Sequence, residues 1–371
     1  MEIAINGRFL TQRITGVQRY ARELVQAIDS ILAVRTDLKV TVISPRLGET
    51  PPPWRHIQLI QVGHLQGHAW EQLELPWYSR GKLLFCPGMT APIASLVGTQ
   101  TVVVTVHDLS YRYFPQAYRL AFRLWYGLLI PLVLNRASSV ITVSESERTA
   151  IIAQYPKAAS RLHAIANGGL PQGLQIGREG SADWPSGYVL YVGSLSKHKN
   201  FSRMLDAASR LVRTGQCNFM IVGGTSKSLS QSVARIPDEL SSKIRFVGPV
   251  DDQTLVSYYQ NAICLLFPSL YEASGLPPIE AMACGCPVVA SDISALVERC
   301  GDAAVYCDPH DTDDIVAAVE KVIANASLRT QLQERGYERA KTFTWRRCAE
   351  RTLDVILASA TRHHDRPEAE V

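Results

Sequence analysis

Short runs of apolar, largely β-branched residues recur along the chain, and they constrain its fold more than any other feature. Continuous apolar runs bounded by turn residues are typical of strands in a parallel sheet that is covered on both faces. Segments with helical spacing lie between the runs, including residues 17–28 and a helix that begins after Ser144. The predicted strands of the first half are residues 2–6, 39–44, 57–62, 83–86, 101–106 and 139–143.

The alternation is interrupted once, between Gly168 and Gly187, where glycine, proline and serine are frequent and a linker is expected. It then restarts with predicted strands at 189–192, 219–222, 244–247, 262–267, 287–290 and 304–306. A chain of 371 residues suits two such units. We therefore predict an α/β protein of two doubly wound domains, at residues 1–172 and 173–345. A helix at 346–360 follows, and the charged tail 361–371 is predicted to be disordered.

Charge and cysteine content exclude several classes of protein. The net charge is only +4 and basic residues form no compact patch, so we expect no nucleic-acid binding. Eight cysteines without a Cys-x-x-Cys pair predict reduced, buried thiols in a cytosolic protein. The apolar stretch 124–134 is interrupted by Gly127 and Pro131 and falls short of the roughly 20 residues that a membrane span needs.

Two glutamates, Glu272 and Glu280, follow the predicted strand 262–267. Pro277, Pro278 and Gly285 predict a short helix there, with Glu280 in its first turn. Open α/β sheets bind ligands at the carboxyl ends of their strands. The two carboxylates therefore suit hydroxyl groups of a sugar and a ribose, and the amides of residues 273–276 suit a phosphate.

A second cluster, His107-Asp108, follows the predicted strand 101–106 at the same kind of edge. Ligand contact is favoured there, although a histidine that merely ends a strand is the alternative.

Positive charge follows the first strand of the second half. Gly193 permits close backbone approach, and a basic run at the start of the next helix resembles a phosphate cradle in its physics. Solvated surface lysines are the alternative interpretation. The basic residues are Lys197, His198 and Lys199. Gly16 lies in a flexible loop ahead of a helix N-terminus, another position that suits an anion, although this signal is weak by itself.

Several catalytic motifs are absent from the sequence. No G-x-G-x-x-G follows the first strand, no G-x-x-x-x-G-K-[ST] occurs, and no G-x-S-x-G or zincin motif is present. Asp311-Thr-Asp313 matches a metal signature by letter, but its place before a helix predicts an N-cap.

Taken together, these segments resemble retaining GT-B glycosyltransferases of family 4. The likeness extends over residues 1–360. It is carried by the Glu272–Glu280 stretch with the following Ala-Met-Ala-Cys-Gly-Cys-Pro, and by further matching segments at residues 16–20, 70–76, 107–110, 141–145, 167–168, 301–304 and 343–345.

The resemblance implies two Rossmann-like domains that face each other across a cleft, with the donor on the second and the acceptor on the first. It implies that Glu272 contacts the transferred sugar and that Glu280 binds the ribose. Catalytic roles are implied for His107, Lys199 and Glu272. Substrate-binding roles are implied for Gly16, Asp108, Asn167, Gly193, Ser194, His198, Ser274, Gly275, Leu276 and Glu280. The family usually has Phe in place of Ser274, and often Arg in place of His198 or Ser194.

The implied reaction is retaining transfer of a hexose, with GDP-mannose favoured, from a nucleotide-sugar to a glycan or polyprenyl-linked saccharide in cell-surface polysaccharide biosynthesis. The donor's leaving phosphate would deprotonate the acceptor, and neither a cofactor nor a metal is expected. A sugar-nucleotide epimerase of the same architecture and a degenerate, non-catalytic binding protein are the alternatives.

The segment 111–126 mixes arginine with aromatic residues. Two interpretations remain open for it: peripheral contact with an anionic membrane at the cytoplasmic face, or an ordinary amphipathic helix that packs on its own domain.

Overall fold

The computed structural model describes residues 1–48, 50–171, 173–174, 176, 187–224 and 238–364. The chain forms two compact units, of which the first holds 1–168 together with 345–371 and the second holds 169–344. The first break lies four residues before the predicted boundary at 172, because Gly168 packs directly on Trp345 within the first unit. Part of the expected linker, 177–186, lies outside the described residues.

The first unit contains a seven-stranded sheet in which every neighbouring pair is parallel, in the order β3-β2-β1-β4-β5-β6-β7. The strands are β1 (Glu2–Asn6), β2 (Lys39–Ser44), β3 (Gln58–Gln61), β4 (Leu83–Cys86), β5 (Val102–Thr105), β6 (Ser139–Thr142) and β7 (Leu162–Ala164). The apolar pattern of the sequence predicted the first six of these strands, each within one residue at either end. It did not predict the short strand β7. Its helices are α1 (Gly16–Leu32), α2 (Gly67–Leu73), α3 (Leu75–Tyr78), α4 (Ile93–Val97), α5 (Ser110–Tyr113), α6 (Leu120–Arg136) and α7 (Glu145–Gln154).

The second unit contains a six-stranded parallel sheet in the order β10-β9-β8-β11-β12-β13. The strands are β8 (Tyr188–Val192), β9 (Asn218–Val222), β10 (Ile244–Gly248), β11 (Ala262–Phe267), β12 (Val288–Ser291) and β13 (Ala304–Cys307). The helices are α8 (Phe201–Arg213), α9 (Asp252–Asn261), α10 (Leu276–Ala283), α11 (Ser294–Cys300), α12 (Thr312–Ala324) and α13 (Ala326–Lys341). Short 3-10 helices complete both units, at Gly7–Thr11, Pro115–Ala117, Pro156–Arg161, Lys197–Lys199, Asp238–Leu240 and Gly301–Ala303.

Each sheet is covered on both faces, as its continuous apolar strands predict. In β8, for example, Val189 packs with the residues of α8 and α12, whereas Leu190 packs with those of α9 and α10. This alternation follows from the two-residue period of side chains along a strand. The prediction of two doubly wound α/β units is confirmed.

The last described helix, α14 (Trp345–His364), belongs to the first unit and packs on α1. The Oγ of Ser359 donates to the Oγ of Ser139 at 2.8 Å. The helix is longer at both ends than predicted, so the prediction of disorder is wrong for residues 361–364, while 365–371 lie outside the described residues. The capping predictions are confirmed, because Ser144 accepts from the Glu147 N–H and Asp311 accepts from the Asp313 N–H.

Candidate functional site

Strands β8 and β11 lie side by side at the point where the order of the second sheet reverses. Ligands of open α/β sheets bind at the carboxyl ends of strands at such a switch point. The loop after β8 carries Gly193 to Lys199, and the loop after β11 carries Glu272 to Leu276. The Leu270 N–H donates to the His198 carbonyl oxygen at 2.8 Å and joins the two loops.

Lys199 and Glu272 form an ion pair at this edge, between Nζ and Oε1. Their side chains are 20% and 9% exposed, and Lys199 Nζ also lies 5.4 Å from the ring centre of Phe267. Within the part of the chain that the structure describes, Glu272 Oε2 has no hydrogen-bond partner. The pair therefore retains capacity to bind a hydroxyl through the carboxylate and a phosphate through the ammonium group.

Asn200 holds Lys199 in place. It adopts a left-handed backbone conformation, with φ 59° and ψ 34°, that ends the 3-10 helix Lys197–Lys199 and begins α8. Its buried side chain donates to the carbonyl oxygens of Pro268 at 3.0 Å and Pro309 at 2.6 Å. Asparagine tolerates this conformation better than most residues. Asn200 was not among the residues predicted from the sequence.

Gly193 lies where the backbone of a neighbouring loop comes very close. A Cβ at Gly223, whose φ is +149°, would lie 1.8 Å from the Gly193 carbonyl oxygen. The Tyr191 hydroxyl donates to the Ser194 carbonyl oxygen at 2.9 Å. Burial and then the charge of Glu272 raise the pKa of Tyr191, which keeps this phenol protonated.

A chain of polar side chains continues from Ser194. Its Oγ lies 3.0 Å from Ser196 Oγ, which lies 3.2 Å from His198 Nε2. Three of the predicted substrate-binding residues, Gly193, Ser194 and His198, thus share one loop with Lys199.

The N-terminus of α10 contributes the remaining residues of this edge. Gly275 is its N-cap with φ 73°, a conformation that favours glycine, and a Cβ there would displace the buried side chain of Leu296, whose Cδ2 would lie 2.6 Å away. Leu276 is the first helical residue. Ser274 is 8% exposed, and its Oγ has no hydrogen-bond partner among the described residues.

Glu280 is the fifth residue of α10, so the prediction that it lies in the first turn is wrong. The helix begins at Leu276, with the two prolines near its start as predicted. Glu280 is 3% exposed, and its Oε2 accepts from the Tyr259 hydroxyl at 3.2 Å. Burial and the Glu280 charge raise the pKa of Tyr259, so the phenol remains a donor. The ribose contact stays a prediction.

In the first unit, His107 follows β5 and is 5% exposed. Its Nε2 lies 2.9 Å from the Pro87 carbonyl oxygen, which can only accept, so Nε2 carries the proton and Nδ1 of the neutral ring is an acceptor. Burial lowers the pKa of His107 and outweighs the opposing effects of the Pro87 hydrogen bond and the Asp108 charge. The ring of Tyr20 meets it edge-on at 4.6 Å.

The other predicted residues of the first unit also follow strands of its sheet. Asp108 is half-buried after β5, and its Oδ1 accepts from the Ser110 N–H at 2.8 Å. Gly16 is exposed at the start of α1, and a Cβ there would meet no atom within 4 Å. Asn167 is buried beyond β7, next to Gly168.

A buried ion pair between Arg8 and Glu71 was missed by sequence reasoning. Arg8 follows β1, and its Nε lies 3.2 Å from Glu71 Oε1, with side chains only 6% and 0% exposed. Asn6 Nδ2 donates to the same carboxylate at 2.7 Å and Thr90 Oγ1 donates at 2.8 Å. The run Asn6-Gly7-Arg8, which begins at the last residue of a predicted strand, would have indicated a polar cluster at this edge.

Glu71 remains ionised despite its complete burial. Burial raises its pKa, but Arg8 and the hydrogen bonds from His68 and Thr90 lower it further, and the pKa lies below its ordinary value. This pair occupies the switch point of the first sheet, between β1 and β4.

Two absences hold for the described residues alone. They include no group of three or more His, Cys, Asp and Glu side chains arranged to hold a metal ion. Nor do they include a helix that is both long and apolar enough to cross a membrane.

Two family models match this chain. Glycosyltransferase family 4 matches residues 14–168, and glycosyl transferases group 1 matches residues 180–339. An O-antigen chain mannosyltransferase B of Escherichia coli is 30% identical over 269 residues, which cover 69% of this chain and 70% of that protein. The chain belongs to the family 4 glycosyltransferases. The resemblance to family 4 glycosyltransferases is thus confirmed.

Solved structures support the GT-B fold of this glycosyltransferase. A sucrose-phosphate synthase of Thermosynechococcus elongatus has a TM-score of 0.75 at 21% identity, covering 97% of this chain and 99% of that one. Anabaena Alr3699/HepE in complex with UDP and glucose has a TM-score of 0.70 at 18% identity, covering 96% and 100%.

Proposed function

We propose that this glycosyltransferase transfers a hexose, with retention of configuration, from a nucleotide-sugar to a glycan or polyprenyl-linked saccharide in cell-surface polysaccharide biosynthesis. GDP-mannose is the favoured donor, since the Escherichia coli relative is an O-antigen mannosyltransferase. The observation that carries the proposal is the partly open Lys199–Glu272 pair at the switch point of the second sheet.

In this proposal, Glu272 binds hydroxyls of the transferred sugar and Lys199 binds the diphosphate. Ion pairing with Lys199 makes the carboxylate a weak nucleophile, which favours a reaction in which the leaving phosphate deprotonates the acceptor on the same face. Stabilisation of the departing diphosphate is then the largest contribution to the rate. Lys199 and the free amides at the start of α10 supply the positive potential, so we propose that no metal or other cofactor is needed.

The remaining residues have supporting roles. We assign Glu280 to the ribose, and Gly193, Ser194, His198, Ser274, Gly275 and Leu276 to the diphosphate and sugar. In the first unit, we assign His107 and Gly16 to the donor, with the neutral His107 Nδ1 accepting from a sugar hydroxyl. Asp108 and Asn167 serve as further substrate contacts.

A thermal-shift screen against GDP-mannose, UDP-glucose, dTDP-glucose and ADP-glucose tests the proposal, because a ligand that binds only the folded state raises the melting temperature. We expect GDP-mannose to give the largest shift, equally with and without EDTA, and Lys199→Met to abolish it. Lys321→Met, on the distant helix α12, is the matched control. If no nucleotide-sugar shifts the wild type, the proposal is wrong.

A second measurement distinguishes the reaction classes. Incubation with the bound nucleotide-sugar and a saccharide acceptor is expected to give a product whose anomeric configuration, read by proton NMR, matches the donor. Conversion of the nucleotide-sugar into another sugar without any acceptor would instead identify an epimerase.

We also propose that α6 contacts an anionic membrane at the cytoplasmic face, where a polyprenyl-linked acceptor resides. Leu120, Leu124 and Leu128 lie one turn apart and are 65%, 66% and 61% exposed, and Arg119 and Arg123 are exposed beside them. An exposed apolar row flanked by basic residues suits a bilayer that contains anionic lipid.

Co-sedimentation with vesicles tests this contact. Binding is expected to vesicles of phosphatidylglycerol and phosphatidylcholine, but not to pure phosphatidylcholine, and Leu124→Glu should abolish it. Val34→Glu, at an exposed valine outside this face, is the control. Equal binding by both variants would contradict the proposal.

A further inference from the structure

Five aromatic rings form a continuous ladder in the first unit. Tyr118 stacks on Phe122 at 5.0 Å, and Phe122 stacks on Tyr126 at 4.0 Å. His68 meets Tyr126 edge-on at 5.9 Å and Trp125 at 5.5 Å. We call these five residues the aromatic ladder.

The ladder is only partly covered by protein. Tyr118, Phe122 and Trp125 are half-buried, and the side chain of His68 is 34% exposed. Aromatic rings that only fill a core have no need to stay accessible. Rings that contact a ligand must remain accessible.

One end of the ladder is connected to Asp108. The Tyr118 hydroxyl lies 2.6 Å from Ser110 Oγ, and Ser110 Oγ donates to Asp108 Oδ1. Asp108 Oδ2 has no hydrogen-bond partner within the described ranges. The oriented carboxylate oxygen offers an acceptor for a hydroxyl, and the exposed parts of the rings beside it offer apolar surface for C–H groups.

His68, which lies next to Trp125 at the other end, is fixed by the Arg8–Glu71 pair. Arg8 Nη1 lies 3.2 Å from His68 Nε2 and can only donate, so a neutral His68 carries its proton on Nδ1, 3.2 Å from Glu71 Oε2. Both nitrogens of His68 are thereby engaged, and the exposed part of its ring is an apolar surface in a fixed orientation.

A buried ion pair is not in itself evidence of a gain in stability, since apolar residues of similar volume often serve as well or better. Its effect here is to orient His68. Backbone strain occurs nearby, because Met89, in the loop that also carries Thr90, has φ 67°. Strained backbone of this kind is concentrated at functional sites.

We propose that the aromatic ladder and Asp108 form the binding site for a hexopyranose ring of the acceptor saccharide. The apolar C–H face of the sugar packs on the exposed parts of Trp125, His68 and the half-buried rings beside them, and a hydroxyl donates to Asp108 Oδ2. A free carboxylate disfavours phosphates and carboxylates at this position, so a neutral sugar fits better than an anionic ligand. The assignment to an acceptor rests on the proposed glycosyl transfer.

Saturation-transfer NMR with methyl α-D-mannopyranoside, methyl α-D-glucopyranoside and methyl N-acetyl-α-D-glucosaminide tests the site. At least one hexoside is expected to bind the full chain, with the strongest saturation on its ring C–H protons. Trp125→Leu should weaken that binding about tenfold, the upper range for loss of one aromatic stack. Trp125→Phe should restore most of it.

Trp77→Leu is the matched control, because Trp77 is 73% exposed in the same unit but outside the ladder. It should bind the hexoside as the wild type does. Thermal melting of every variant identifies any that fail to fold. If Trp125→Leu is one of these, Trp125→Phe takes its place: it should bind the hexoside more weakly than Trp77→Leu, because the smaller ring covers less of the sugar, and equal binding would overturn the acceptor site.

The outcomes separate this inference from the proposed function. If nucleotide-sugars bind and none of the three hexosides does, the acceptor site is overturned and the transferase proposal stands. If the hexosides bind through Trp125 and no nucleotide-sugar binds, the ladder is a saccharide site and the transferase proposal fails. Equal weakening by Trp125→Leu and Trp77→Leu would also overturn the acceptor site.

Discussion

Each sheet of this glycosyltransferase carries one basic–acidic pair at its switch point, yet the two pairs differ in kind. Arg8–Glu71 is almost wholly buried, and Asn6 and Thr90 also donate to its carboxylate. Lys199–Glu272 is 20% and 9% exposed, and one of its carboxylate oxygens has no partner among the described residues. The same fold position thus holds a closed pair that orders its neighbours and an open pair that suits a ligand.

The difference follows from residue type as well as burial. Arginine has five donors in a rigid fork, and Arg8 uses them on Glu71, His68 and Thr90. Lysine is a compact charge on a flexible stem, and Lys199 can move its ammonium group between Glu272 and a phosphate. We therefore expect substitutions at the first pair to affect stability and those at the second to affect activity.

Glu71→Ala is predicted to have the largest effect. It leaves Arg8 buried without a counter-charge, which costs about 3–5 kcal/mol. Hydrogen exchange should accelerate in β1 and β4 and remain unchanged in β8 and β11. Glu2→Gln, at an exposed ion pair with Lys39, serves as control and should leave exchange unchanged. If β1 keeps its normal protection from hydrogen exchange in Glu71→Ala, the first pair is no more important for stability than the second, and the distinction drawn between the two pairs is wrong.

Glu272→Ala is predicted to lower kcat/KM by about 100-fold or more while the fold is kept, because the proposed contact to the reacting sugar is lost. Lys199 is partly exposed and can be rehydrated, so protection of β8 and β11 should change little. Glu338→Ala, at a glutamate with 73% side-chain exposure on α13, is the control and should retain full activity. Near-normal turnover of Glu272→Ala would refute the catalytic assignment.

The smallest predicted effect is a pH dependence of stability in the first unit. The pKa of His107 is lowered from its ordinary value of 6.5 by burial, so the unfolded chain binds more protons below that pH. The stabilisation is therefore complete above pH 6.5 and is lost as the pH falls through the lowered pKa. Glu71 contributes to the pH dependence with the same sign. Its pKa is also lowered in the folded protein, so the stability that it provides is lost as the pH falls below its ordinary pKa of 4.5.

Melting temperatures between pH 7.5 and pH 5 measure the His107 contribution. His107→Asn, which keeps a donor for Pro87 but does not titrate in this range, should flatten the decline. His310→Asn, at an exposed histidine, should leave it unchanged. An unaltered decline in His107→Asn would show that another group titrates.

Much of the fold was predictable because the strands of these parallel sheets are continuous apolar runs. Such runs can be recognised without knowing which strands pair. Strand β7 was missed because its three residues include His163 and give too short a pattern. The short helix α10 was predicted with its prolines near the start, but Glu280 was assigned to its first turn. The two prolines mark the start only approximately, and the left-handed Gly275 lets the helix begin at Leu276, so that Glu280 is its fifth residue.

The candidate site was predictable only in part. Glu272, Lys199 and His107 were identifiable because each follows a strand end, where ligands of such sheets bind. Glu71 was not assigned a role, since its sequence neighbours Trp70 and Gln72 lie in a short helix and its partners are distant in sequence. Asn200 was overlooked because its contacts, Pro268 and Pro309, are 68 and 109 residues away.

The sequence by itself determined the two α/β units, the order of their elements and the residues at strand ends, because these depend on local periodicity and turn chemistry. The tertiary structure decided which of those residues meet. It closed Arg8 around Glu71, left Lys199 and Glu272 partly open, and arranged five aromatic side chains in a row beside Asp108. Burial and distance set these outcomes, and both depend on contacts between residues far apart in the chain.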